Sequence, residues 1–125
     1  MTRLRAAHLM ALLVPLVGAA RPARAGDDWL GADKRLHFAA SASLALIGYG
    51  GAALATDDRG MRAGVATALA LNVGIAKELW DRAGHGDPST RDLAWDVVGT
   101  ATGVAVAAAF DWIFRRVGGA ENARR

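Results

Sequence analysis

Charged side chains concentrate in one stretch of an otherwise apolar sequence, KELWDRAGHGDPSTRDLAWDVVG at residues 77–99. Within it, Glu78 and Asp81 are three residues apart, and Asp92 and Asp96 are four apart. Upstream, Asp33 and His37 are also four apart, so each of these three pairs shares one face of a helix. Carboxylates beside a histidine can act as general acid and base or ligate a hard divalent ion. The candidate catalytic residues are His37, Glu78 and Asp96, and the polar residues expected around them are Asp33, Lys34, Lys77, Asp81, Ser89 and Asp92.

A structural interpretation of the same residues is equally open. Lys77 and Asp81 have the spacing of a helical ion pair, and Ser89 with Asp92 resembles a capping box at a helix start. Charged groups inside a helix bundle are either functional or mutually neutralised. The structural interpretation leaves three residues without a local role: His37, Glu78 and Asp96.

Several kinds of chemistry are excluded or disfavoured by the motifs. The sequence contains no cysteine, which excludes disulfides, thiolate metal sites and cysteine nucleophiles. It has no HExxH or GxSxG motif, no glycine-rich phosphate loop follows a strand, and Ser41 is interpreted as a helix-packing serine. No cofactor and no metal site are therefore predicted, with a divalent cation between His37 and the carboxylates kept as the alternative.

Residues 1–25 have the features of a targeting segment. Two arginines precede an apolar core, and Ala23-Arg24-Ala25 forms a small-x-small cleavage site. The segment is predicted to be a signal peptide, or an uncleaved anchor helix. Setting aside its four arginines leaves 11 basic against 12 acidic residues, so the formal charge of +3 gives no support for nucleic-acid binding.

Three apolar runs, 38–56, 63–76 and 97–110, make up most of the remaining chain. None alternates with period two, and their central parts lack the polar face of a soluble amphipathic helix. The prediction is an all-α, three-helix membrane-associated domain at 26–117, followed by a flexible tail at 118–125. A soluble three-helix bundle is the rival fold.

Helix boundaries and contacts are also readable from the sequence. Asp33 is expected to cap the first helix and Ser89 the third, which should end near Arg116, before a Gly-Gly pair. Two GxxxG repeats, at 60–64 and 99–103, have the spacing that lets helices approach closely in lipid.

Alternating helix directions bring distant charges to one end of such a bundle. If the N-terminus is exported, the start of the first helix, the end of the second and the start of the third all lie on the outer side. Basic residues show a thin excess on the inner side, in the direction of the positive-inside rule. The predicted location is the inner membrane, with the polar cluster facing the periplasm.

Three blocks of sequence resemble the YfiM-like family of small predicted periplasmic or membrane lipoproteins, and more loosely the VanZ-like membrane proteins. They are DKRLHFAAS at 33–41, KELWD at 77–81 and STRDLAWDVVGTATG at 89–103. The resemblance implies a small cell-envelope protein without an established activity. The chain differs from lipoprotein members because it has no cysteine to acylate, so attachment to a membrane would depend on its helices.

The sequence thus predicts a small cell-envelope membrane protein of unknown specific function, with membrane lipid and an envelope protein as partners and no nucleic acid. The alternative is a membrane-embedded enzyme that acts on an envelope lipid or a lipid-linked phosphate through His37 and nearby carboxylates. Whether the protein is an enzyme is left open.

Overall fold

A computed structural model describes residues 27–123, which form three helices and no strand. Helix α1 comprises Ala32–Ala52, α2 comprises Arg59–Trp80 and α3 comprises Thr90–Asn122. A π-helical turn, Asp81–His85, extends the end of α2. The all-α, three-helix prediction is confirmed for this part of the chain, and the predicted signal or anchor segment at 1–25 lies outside the described residues.

Two of the helix starts have side-chain caps. Ser89 accepts a hydrogen bond from the backbone N–H of Asp92, as predicted, and Asp58 caps α2 by accepting from Met61. The predicted cap at Asp33 is wrong, because α1 already begins at Ala32 after a Gly31 cap that has no side chain. Asp33 lies instead in the first turn, where the helix dipole favours a negative charge.

Helix α3 is longer than its sequence suggested. It continues through Gly118 and Gly119 to Asn122, so the end expected near Arg116 is wrong. A helical glycine costs only about 1 kcal/mol relative to alanine, and no proline follows to stop the helix. A Gly-Gly pair alone therefore does not end it.

The helices bury small and polar side chains and expose large apolar ones. Helix α2 shows the pattern at every fourth residue: its buried positions are Arg62, Ala66, Ala70, Gly74 and Glu78. Tyr49 is the only large apolar side chain that is fully buried in residues 27–123, whereas leucines, valines and tryptophans cover the outside of all three helices. The bundle thus buries charged groups toward its ends and mostly small residues in its middle, and it exposes large apolar side chains.

Close approach of α3 to α1 depends on two glycines. A Cβ atom at Gly99 would overlap the carbonyl of Phe38, and one at Gly103 would overlap the carbonyl of Ala42. The GxxxG repeat of α3 is therefore a helix contact. The repeat at 60–64 is not, because a Cβ atom at Gly64 would meet no atom within 4 Å.

Within the described residues, α3 is the one helix that is both long enough and apolar enough to cross a membrane. Less than a quarter of the most apolar stretch of α3 is buried inside the bundle. A signal sequence or a core helix of a soluble protein can satisfy the same test of length and composition.

We expect Gly103→Ala to destabilise the bundle by about 1–3 kcal/mol, because the new methyl group forces α1 and α3 apart. The matched control is Gly64→Ala, which should be neutral or stabilising by up to about 1 kcal/mol, since its methyl group enters open space. Unfolding of the purified variants, followed by circular dichroism, checks both values. Equal effects at the two positions would show that α1 and α3 do not pack through Gly103.

Candidate functional site

The start of α1, the end of α2 and the start of α3 meet at one end of the bundle. Their polar side chains form a connected network, called here the Asp92 cluster. Its members are Asp27, Asp33, Lys34, His37, Ser41, Lys77, Glu78, Asp81, Ser89, Asp92 and Asp96. All nine residues that the sequence singled out lie in this cluster.

Asp92, on α3, joins the three helices. Its Oδ1 is 2.5 Å from Lys34 Nζ, and its Oδ2 is 3.3 Å from both His37 Nε2 and Lys77 Nζ. Asp92 is 3% exposed, so these contacts are made away from bulk water. Loss of this carboxylate would remove one contact each from Lys34, His37 and Lys77, and taking one partner out of a buried charged network is strongly destabilising.

Lys34 is almost completely buried, at 1% exposure. Its ammonium also contacts Asp27 Oδ1 at 2.5 Å and Asp33 Oδ2 at 2.8 Å. Together with Asp92, these carboxylates replace the water that a lysine normally keeps around its charge. The long side chain therefore ties the segment before α1 to the start of α3.

Asp96 lies one turn further into the bundle, with 2% of its surface exposed. Its Oδ1 accepts a hydrogen bond from Ser41 Oγ at 2.7 Å and lies 3.0 Å from His37 Nδ1. Its Oδ2 has no hydrogen-bond partner among residues 27–123 and faces Gly74 on α2, where any Cβ atom would overlap it. Gly74 thus provides the space for a buried carboxylate.

Glu78 connects the end of α2 to the start of α3. Its Oε2 accepts from the backbone N–H of Ser89 at 2.7 Å, and its Oε1 contacts Lys77 Nζ at 3.1 Å. Lys77 also contacts Asp81 at 2.8 Å, which confirms the predicted helical pair. Glu78 therefore has a structural role that its position in the sequence did not reveal.

His37 has a carboxylate oxygen at each ring nitrogen. Its Nε2 lies 3.3 Å from Asp92 Oδ2, and its Nδ1 lies 3.0 Å from Asp96 Oδ1. Ligand atoms of His37, Glu78 and Asp92 lie within 4.8 Å of one another, a grouping that could hold a metal ion.

The sequence pattern does not assign two members of the cluster, Asp27 and Ser41, or the adjoining Gly74. Ser41 is interpreted as a packing residue, although its position four residues after His37 is a signal for a shared face. Gly74, four residues before Glu78, gave no signal, because a glycine that accommodates a carboxylate looks like any other helical glycine. Asp27 lies before the first helix, where spacing predicts no contact.

A second polar network, the Asp111 cluster, lies at the opposite end of the bundle and was not predicted as a site. Asp111 Oδ1 contacts Arg62 and Arg115 at 3.0 Å, and its Oδ2 contacts Tyr49 at 3.3 Å and Arg59 at 3.2 Å. Both oxygens of this carboxylate are thus paired. The exposed Asp57 adds a further partner for two of the arginines.

The electrostatics of the Asp92 cluster favour ionised carboxylates at its edge. The hydrogen bond from Lys34 lowers the pKa of Asp27 below its usual range, and Ser89 and Arg91 act in the same direction. Partial burial opposes this effect without reversing it. Asp27 therefore stays charged in moderately acidic solution.

Comparisons with protein-family models, curated proteins and solved structures find no match for this chain. The resemblance to YfiM-like and VanZ-like proteins consequently stays a prediction.

Asp27→Asn should reduce the pH dependence of stability. Because the folded pKa is lowered, the contribution of Asp27 is complete at neutral pH and is lost as the pH falls through that lowered value. We expect wild type to melt at a higher temperature than the variant at pH 7, with the difference shrinking toward pH 3. Asp87→Asn, in the exposed loop before α3, is the control. A difference in melting temperature that does not change with pH would contradict the assignment.

Proposed function

We propose that the chain is an integral membrane protein of the cell envelope whose three helices lie in the inner membrane with the Asp92 cluster toward the periplasm. The observation that carries this proposal is the inverted distribution of side chains. Exposed leucine, isoleucine, valine and phenylalanine surround a centre of lysine, carboxylates, serine and alanine. In water this arrangement would expose a large apolar surface, which monomeric soluble proteins avoid; in lipid it is favourable.

The apolar surface has a suitable height for a bilayer. On α2, exposed apolar side chains extend from Met61 to Trp80, about 28 Å at 1.5 Å per residue. On α3 they extend from Val97 to Val117, about 30 Å. Both values approach the hydrocarbon thickness of about 30 Å.

Charge at the two ends supports the proposed orientation. The sequence has six basic residues on the proposed inner side and five on the proposed outer side, a thin excess in the expected direction. The inner ones are Arg59, Arg62, Arg115, Arg116, Arg124 and Arg125, and the outer ones are Lys34, Arg35, Lys77, Arg82 and Arg91. Basic residues are favoured on the cytoplasmic side of a membrane protein. The Asp92 cluster would then face the periplasm.

The role that fits this arrangement best is non-enzymatic. Lys34, Lys77 and Asp92 hold the ends of all three helices together, and a rim of Asp27, Trp29 and Arg91 is exposed beside them. Arg91 lies over the Trp29 ring, 5.1 Å from its centroid. Such a rim of charged and aromatic groups suits a lipid head group or an envelope protein.

The topology has a direct test. Reporters that are active only in the periplasm or only in the cytoplasm, fused after Asp58 and after Gly86, should report the cytoplasm and the periplasm respectively. Carbonate washing should leave the full chain in the membrane fraction. A periplasmic Asp58 would reverse the orientation, and soluble recovery would favour the soluble three-helix bundle.

The second candidate function is a membrane enzyme that acts on an envelope lipid or a lipid-linked phosphate. The observation that favours it is the pair of His37 and Asp96, whose atoms lie 3.0 Å apart with Ser41 on the same carboxylate oxygen. A carboxylate that orients a histidine is the usual arrangement for a general base. Glu78 would belong to the same site.

Glu78→Gln and Asp96→Asn separate the two functions. If the network is structural, each variant should lose about 3–5 kcal/mol, because one partner of a buried charged network is removed, and its abundance in the membrane should fall. If the site is catalytic, abundance should stay normal while a phenotype of the gene deletion is not complemented. Membrane abundance by immunoblot and complementation of the deletion strain are the two measurements. The control is Asp87→Asn, which should change neither.

A further inference from the structure

We propose that His37, Glu78 and Asp92 form a binding site for a divalent transition-metal ion, with Asp96 as the residue that positions the histidine. Nitrogen from imidazole combined with two carboxylates suits Zn²⁺ or Mn²⁺ better than Mg²⁺ or Ca²⁺, which prefer oxygen ligands alone. The proposal is independent of membrane insertion, since it rests on the contacts at one end of the bundle.

The distances suit such an ion. His37 Nε2 and Asp92 Oδ2 are 3.3 Å apart, and a carboxylate oxygen of Glu78 lies within 4.8 Å of both residues' ligand atoms. Two ligands each about 2.1 Å from a tetrahedral metal ion are separated by roughly 3.4 Å. A small adjustment of Glu78 would therefore complete three protein ligands.

The second observation is the environment of Asp96. Its Oδ1 lies 3.0 Å from His37 Nδ1, and Ser41 fixes the same oxygen. Metal-bound histidines usually donate their other N–H to a carboxylate in this way, which leaves Nε2 free to bind the ion. The other oxygen of Asp96 faces Gly74, so the contact of this buried carboxylate with the proposed site is made through His37, which suits a positioning residue.

The charge balance of the Asp92 cluster also favours a bound cation. Asp27, Asp33, Glu78, Asp81, Asp92 and Asp96 contribute six negative charges to the cluster. Lys34 and Lys77, together with Arg91 beside Asp27 at the edge of the cluster, contribute three positive charges. Histidine aside, the carboxylates thus outnumber the basic side chains by three, and a divalent ion would compensate two of these negative charges.

Lys77 now lies where the ion would bind. Its ammonium contacts Glu78 Oε1 at 3.1 Å and Asp92 Oδ2 at 3.3 Å, the two carboxylates of the proposed site. Its closest partner is Asp81, at 2.8 Å, and its side chain is a quarter exposed. Lys77 can therefore keep Asp81 as its partner when an ion binds the other two carboxylates. Its ammonium thus competes with the ion for Glu78 and Asp92.

The experiment titrates the purified full chain, freed of its affinity tag and stripped with EDTA, with Zn²⁺ or Mn²⁺ and with Mg²⁺ as comparison. Calorimetry and metal analysis after desalting should show one Zn²⁺ or Mn²⁺ per chain. His37→Ala and Asp92→Asn should lower the affinity at least 100-fold. Asp96→Asn should lower it 10–100-fold, in keeping with a positioning residue.

Two variants keep the test decisive where others fail to fold. Lys77→Met removes the competing ammonium, so it should bind the ion more tightly than wild type. His85→Ala changes an exposed histidine that stacks on Trp80, outside the site, and should bind like wild type. Circular dichroism identifies the folded variants. The proposal is overturned if wild type binds neither ion, if Mg²⁺ binds in preference, if folded Lys77→Met binds no more tightly, or if His85→Ala abolishes binding.

Discussion

The buried charge of Asp92 is the constraint on which the bundle depends. Its two oxygens contact Lys34 and His37 from α1 and Lys77 from α2, so one α3 side chain fixes the relative positions of all three helices. The centre of the bundle contains alanines, glycines and one tyrosine, which bury little apolar surface. Specific charge pairing therefore takes over part of the role that large side chains have in a soluble core.

This arrangement in turn explains the small residues. Helices that pair charges from short aspartates must lie close together, and glycines at positions 99 and 103 let α3 touch the backbone of α1. Gly74 serves the same purpose for a side chain, because it leaves room for the Asp96 carboxylate against α2. Composition, packing and the polar cluster are thus consequences of a single requirement.

The sequence predicted the number of helices and nine of the eleven members of the Asp92 cluster, because alternating helix directions and i, i+4 spacing are sufficient for these. The predicted start of α1 and end of α3 were wrong. Helix α1 begins directly after a glycine, and α3 continues through two glycines. The sequence also missed the Asp111 cluster. Arg62 and Asp111 are 49 residues apart and each looks like an ordinary helix-end charge, so only the packed helices reveal their contact.

The two ends of the bundle provide an internal comparison that bears on function. At Asp111, three arginines and a tyrosine satisfy both carboxylate oxygens, which is what a purely structural clamp requires. At the other end, carboxylates outnumber their cations and Asp96 keeps an oxygen without a partner among residues 27–123. The Asp111 cluster therefore shows the charge pairing that holds helices together in this fold. The Asp92 cluster has more carboxylates than such pairing requires. The unbalanced negative charge is the feature that a cationic ligand would complete.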